Sequence, residues 1–163
     1  MILFALRRKF IVCFIASIIL VCTYPLLAQT HINSAQHTSF LTTLQKHLRA
    51  IEQRDFRAYS ETIAKDDNIH LILPRGEHIE GKEQYLKVIR EWFSEQDWKF
   101  VYSLQAINET RFLSSVLLKV HYTDKKADGQ PLVMDYYLLL IFKKDKNGWR
   151  LVHDQNTLIP PSP

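Results

Sequence analysis

Cysteine is nearly missing from this chain of 163 residues: there are two, Cys13 and Cys22, both close to the start. Beyond Cys22 the sequence therefore has no thiol nucleophile, no disulfide framework and no cysteine-ligated metal. Glycine is almost as scarce, with four residues, so no glycine-rich phosphate loop can be built, and no internal repeat is present. The histidines are scattered without the His-x-x-x-His or His–carboxylate spacing of a zinc site. No serine stands in a nucleophile elbow. The sequence thus predicts neither a metal nor a cofactor. Apolar residues make up 47% and charged residues 23%, ordinary values for a folded chain and too apolar for a disordered one.

A basic excess is also missing once the first segment is set aside. MILFALRRKF carries Arg7, Arg8 and Lys9, IVCFIASIILVC is a dense apolar run, and TYPLLAQT adds the helix-breaking Pro25 and the small Ala28. A basic head, an apolar stretch and a small residue predict an export signal over residues 1–28, cut after Ala28, leaving the remainder periplasmic or secreted. The alternative is a membrane anchor over residues 10–28, close to the ~20 residues that span a bilayer. In either case the membrane is met only through this segment. Removing three basic residues from 21 leaves 18 against 17 acidic ones, so nucleic acid is not an expected partner. Residues 29–163 suffice for one modest core.

Residues 29–37 read as a flexible lead-in. Phe40, Leu41, Leu44, Leu48 and Ile51 recur at three- and four-residue steps and predict an amphipathic helix over Ser39 to Arg54. Asp55 can cap a second short helix carrying Phe56, Tyr59 and Ile63 on one face. IHLIL, residues 69–73, is a short strand stopped by Pro74, and RGEHIEG a loop. Lys82 to Ser94 restores the helical period through Tyr85, Leu86, Ile89, Trp92 and Phe93. Then the period becomes two: WKFVYSLQA and SSVLLKVHYT alternate as half-buried strands. PLVMDYYLLLIF is apolar nearly throughout, which predicts burial of both its faces, with Asp135 as the exception. DKNG, residues 145–148, is a hairpin turn with Asn147 and Gly148 at positive φ. WRLVHDQNTLI closes the sheet and PPSP, residues 160–163, forms the tail. The order predicts an α+β cone-shaped roll, three N-terminal helices packed on a curved, mainly antiparallel sheet, without parallel crossovers.

Two stretches, AIEQRDFRAYSETIAKDDNIHLILPRGEHIEGKEQY and YYLLLIFKKDKNGWRLVHDQNT, resemble the SnoaL-like branch of the nuclear transport factor 2-like superfamily, with its cystatin-like cone fold. The first resembles the family's opening helix pair, short strand and third helix; the second resembles its final hairpin. The resemblance runs over residues 38–159. It implies a cone with a pocket between helices and sheet, commonly in a homodimer. Relatives include polyketide cyclases, ketosteroid isomerases, dehydratases and protein-association domains, so the fold alone assigns no reaction. Many relatives carry His-x-His in the last strand; here the second position is Gln155.

Candidate chemistry gathers at HDQN, residues 153–156. Strand neighbours point to opposite faces, so His153 and Gln155 share one face and Asp154 and Asn156 the other. With a bulged turn at Lys146–Gly148, residues 141 and 153 lie opposite each other, and Asp135, Tyr137, His153 and Gln155 share a face, joined by Lys119 and His121. There Asp135 or His153 is the candidate general base; the plainer reading is a structural Asp–His pair or a dimer contact. Tyr59, Trp92, Trp98, Phe100, Tyr102, His121, Tyr137 and Gln155 are candidates to line a pocket for a small apolar ligand, with core packing the rival reading for the aromatics. His70 reads as a buried histidine or a base, and His31, His37, His47 and His78 as exposed. Three functions stay open: binding of a small apolar ligand, a cofactor-free isomerase, cyclase or dehydratase, and a protein-association module.

Overall fold

A computed structural model describes residues 40–160; the export or anchor segment, the lead-in, His31, His37 and the end of the tail lie outside the described residues. Helix α1 covers residues 40–53, and its buried stripe is Phe40, Leu44, His47, Leu48 and Ile51. Arg54 ends it in the left-handed region at φ 54°. The Asp55 carboxylate then caps α2, Phe56–Ser60, by accepting from the Ala58 N–H at 2.9 Å, as the sequence predicts. Helix α2 stops before Ile63, whose backbone instead bridges Leu151.

Strand β1, His70–Ile72, turns through Gly76 into β2, His78–Glu80. This second strand replaces the expected loop; three residues are too few to display an alternating pattern. Gly81, at φ 87°, leads into α3, Lys82–Ser94. Four long strands follow: β3 Lys99–Glu109, β4 Leu113–Lys125, β5 Pro131–Asp145 and β6 Gly148–Leu158. The sheet order is β2-β1-β6-β5-β4-β3. Every pairing is antiparallel except β1 with β6, where His70 sits beside His153. That one pair leaves the sheet mainly antiparallel, as expected, although the sequence gives no sign of it. It joins residues about eighty apart in sequence, beyond the reach of local hairpin signals.

One face of the sheet carries the core. Val116, Leu118 and Val120 of β4, Tyr136, Leu138, Leu140 and Phe142 of β5, and Trp149 and Leu151 of β6 are buried in one cluster with the helices' apolar stripes. Phe40 meets the rings of Trp149 and Phe142 edge to face, with centroids 5.1 and 5.7 Å away. The result is an α+β cone. Strand β5 is not buried on both faces. Its even positions from Tyr136 to Phe142 are buried, whereas Val133 and Tyr137 on the other face are exposed. The apolar odd positions therefore look outward, away from the chain's own core.

Candidate functional site

The end of the cone beside β6 holds a cavity of about 290 Å³. Its apolar wall comes from Leu71 and Leu73, from Ile89 and Trp92 of α3, and from Phe100, Met134 and Leu138 of the sheet. Asp154 and Asn156 enter it from β6, with Tyr59, Tyr122 and Tyr136 supplying hydroxyl-bearing rings. A mostly apolar pocket with a few converging polar groups is the usual anatomy of a small-molecule site.

Asp154 is the chemical centre. Its side chain is buried, and Tyr85 Oη donates to its Oδ2 at 3.2 Å. Asn156 Nδ2 donates to its Oδ1 at 3.1 Å and to the Ile72 carbonyl at 3.0 Å. Because Tyr85 spends its proton on Asp154, Tyr59 Oη donates to Tyr85 Oη, 2.5 Å away. Helices α2 and α3 and strands β1 and β6 thus converge on one carboxyl group. Burial disfavours its charge and raises its pKa from 3.8 to about 7, while the two donated hydrogen bonds pull the other way. The same burial pushes the Tyr59 and Tyr85 hydroxyls well above their ordinary range, reinforced by the negative charge of Asp154. Tyr136 is likewise pushed up by burial and then by Asp154, and its hydroxyl has no hydrogen-bond partner among the described residues.

What turns Asp154 inward is a β-bulge. Phe142 pairs with Leu151 and Ile141 with His153, so Val152 is the extra residue. Trp149 and Leu151 face the core before the bulge, and without it alternation would carry His153 inward next. The inserted residue switches the parity and delivers Asp154 and Asn156 to the cavity, a common use of bulges beside functional sites. The expected pairing of residues 141 and 153 is observed, although the turn itself is a two-residue loop at Lys146 and Asn147, with positive φ at Gly148 only.

The face shared by Asp135, Tyr137, His153, Gln155, Lys119 and His121 is therefore the outer face of the sheet. There His121 Nδ1 and Asp135 Oδ1 form a cross-strand pair at 2.8 Å with both side chains about half exposed. Asp135 thus does not lie among buried apolar residues. His153 Nε2 contacts Gln155 Oε1 at 3.3 Å, and His70 Nδ1 contacts His78 Nε2 at 3.2 Å on the neighbouring strands. Of the residues singled out in the sequence, Tyr59, Trp92 and Phe100 line the cavity. Trp98 is packed behind Trp92, their centroids 4.5 Å apart, with the Arg54 guanidinium 4.0 Å over its ring. Tyr102 leans on Phe100 and on Glu52, outside the cavity lining. His47, expected to be exposed, is fully buried; its Nδ1–H donates to Thr62 Oγ1, whose own proton goes to the Tyr59 carbonyl. Burial lowers its pKa from 6.5 to about 3, so it is a neutral core residue. No group of three or more metal-ligating side chains occurs among the described residues, and no described helix is long and apolar enough to cross a membrane.

The architecture recurs in solved structures. A ketosteroid isomerase-like protein from Erwinia carotovora atroseptica superposes with a TM-score of 0.63 at 19% identity, over 76% of this chain and 96% of that one. A nuclear transport factor 2 superfamily protein from Salmonella enterica matches with a TM-score of 0.64 at 20% identity, covering 80% and 96%. The hub domain of the S. rosetta CaMKII matches at 0.58 and 20% identity, covering 75% and 95%. At these identities the likeness is one of fold. No curated protein matches the chain. The sequence profile of the SnoaL-like domain matches residues 41–159. With that match spanning most of its length and the cone beneath it, the chain belongs to the SnoaL-like domain family.

Proposed function

We propose that the protein binds a small, largely apolar molecule in the cavity beneath β6, gripping its single polar group with Asp154 and Tyr136. The carrying observation is a buried carboxyl at the polar end of an otherwise apolar cavity, held by two donors, Tyr85 of α3 and Asn156 of β6. A structural carboxyl in a filled core would be costly with no return. A thermal-shift panel of apolar metabolites tests the reading, because a ligand bound only by the folded state raises the melting temperature. Leu138→Trp fills the cavity and abolishes every shift if the cavity is the site; shifts that persist in that variant refute it.

A second reading has support from the same carboxyl. A pKa of about 7 suits a general acid–base catalyst at neutral pH, so Asp154, in place of Asp135 or His153, is the candidate base of a cofactor-free isomerase, cyclase or dehydratase. The fold shared with a ketosteroid isomerase-like protein is compatible with this. Turnover that follows a single ionisation near pH 7 and disappears in Asp154→Asn is the expected signature.

The outer face supports a third element of the proposal. Val101, Val133 and Tyr137 present exposed apolar surface there, and such a face on a sheet is commonly covered. A second copy of the chain is the occupant we propose, and one structural neighbour is itself a hub domain. Residues 1–28 complete the reading as an export signal, tested by fractionating cells and sequencing the N-terminus of the recovered protein.

A further inference from the structure

The cavity has a carboxylate but no counter-charge. Among the described residues lining it there is no lysine, arginine or histidine, and Asp154 is the one acidic residue. Yet the surrounding groups are arranged for the ionised form. Both carboxyl oxygens already accept a hydrogen bond, one from Tyr85 and one from Asn156. Asn156 cannot turn its amide without losing its bond to the Ile72 carbonyl. Tyr85 donates to the carboxylate while its own oxygen accepts from Tyr59 behind it. An anion so prepared and left without a cation lacks the partner that normally offsets the burial of a charge.

The ligand supplies the missing charge. Resting on the pocket reading above, we propose that the occupant is a hydrophobic cation: a protonated primary or secondary amine on a one- or two-ring apolar body, its ammonium paired with Asp154. The free Tyr136 hydroxyl accepts a second N–H, which a single-point carboxylate contact would leave unmet. Trp92, Phe100 and Tyr122 line the same cavity, and aromatic faces attract cations where they repel anions. A volume of about 290 Å³ lies at the lower end of ligand sites, which limits the body to one or two rings. A carboxylate ligand meets only like charge there. A neutral ketone accepts from the Tyr136 hydroxyl but leaves the Asp154 carboxylate without a counter-charge.

Calorimetric titration of the full protein with 2-phenylethylamine, 2-phenylethanol and 3-phenylpropionate, and with their naphthyl counterparts, separates these cases. At pH 8 the amines bind at least about tenfold more tightly than the matched alcohols, the scale of one charge-assisted hydrogen bond. Their affinity falls as the pH drops below 7, because binding then expels the proton from Asp154. Asp154→Asn removes the amine preference, so that matched amines and alcohols bind that variant about equally, and Tyr136→Phe weakens amines severalfold. Alcohols or acids that bind as tightly as amines overturn the cation assignment and leave the cavity as the binding site. Silence from all three classes at millimolar concentration overturns both.

Discussion

Replacing Asp154 by asparagine is expected to stabilise the protein at neutral pH, by an amount that can be worked from the structure. The carboxyl titrates near 3.8 in an unfolded chain and near 7 in the native one. Between those values the folded state holds a proton that the unfolded state has released, so stability falls as pH rises. At about 1.4 kcal/mol per pH unit over about three units, the loss approaches ~4 kcal/mol by pH 7 and stays constant above it. His47 works in the opposite sense. Its pKa drops from 6.5 to about 3, so the unfolded state binds the extra proton and stability rises with pH across that window. From about pH 4 to 6.5 the two slopes oppose each other and the wild-type contribution is nearly flat. Asp154→Asn removes one of them. Its advantage over wild type grows from near zero at pH 4 to several kcal/mol at pH 7 and above, and its own curve rises with pH through the window left to His47. The amide can still accept from one neighbour, and Tyr85 can turn its hydroxyl toward Tyr59. Urea unfolding followed by the fluorescence of the three tryptophans, at half-unit steps from pH 4 to 8, measures both curves. Parallel curves for the two proteins would show that Asp154 pays nothing for its burial, and the electrostatic account of the site would be wrong.

Other consequences are quicker to check. Phe40→Ala empties a fully buried position between Trp149 and Phe142 and is expected to cost about 3–5 kcal/mol, read from the same urea curves. Val133→Glu places a charge on the exposed outer face; analytical ultracentrifugation is expected to show a dimer turned to monomer, with urea stability of the monomer changed by less than ~1 kcal/mol. A monomeric wild type would remove the proposed dimer. Gly148→Ala puts a side chain at φ 107° in the last turn and is expected to cost about 1–2 kcal/mol, measured by the shift in urea midpoint.

The same chemistry explains which parts of the molecule the sequence makes legible. Helices α1 and α3 declare themselves because their apolar residues repeat at helical spacing over three or more turns, and Asp55 because a cap needs only its own neighbours. The cone follows from helices first and hairpins after. Strand β2 and the β1–β6 pair are silent because one is too short for a period and the other joins distant segments. His47 is silent for another reason: it stands on the buried stripe of α1, one residue before Leu48, and the position outweighs the polarity once Thr62 satisfies Nδ1. The site turns on a single residue. Alternation correctly divides HDQN into two pairs, His153 with Gln155 and Asp154 with Asn156, but which pair faces inward depends on counting strand residues from Trp149. Straight counting from Trp149 and Leu151 selects His153. The bulge at Val152 selects Asp154, and nothing in WRLVHDQNT marks Val152, since neither glycine nor proline is there to announce it. The inward pair is decided by the core itself. Leu151 must fill the space against Phe142, and Asp154 and Asn156 must reach Tyr85 and the Ile72 carbonyl; a strand without the extra residue could satisfy only one of these demands. The bulge is therefore the joint between the packing half of β6 and its chemical half, and the polar end of the cavity exists because of it.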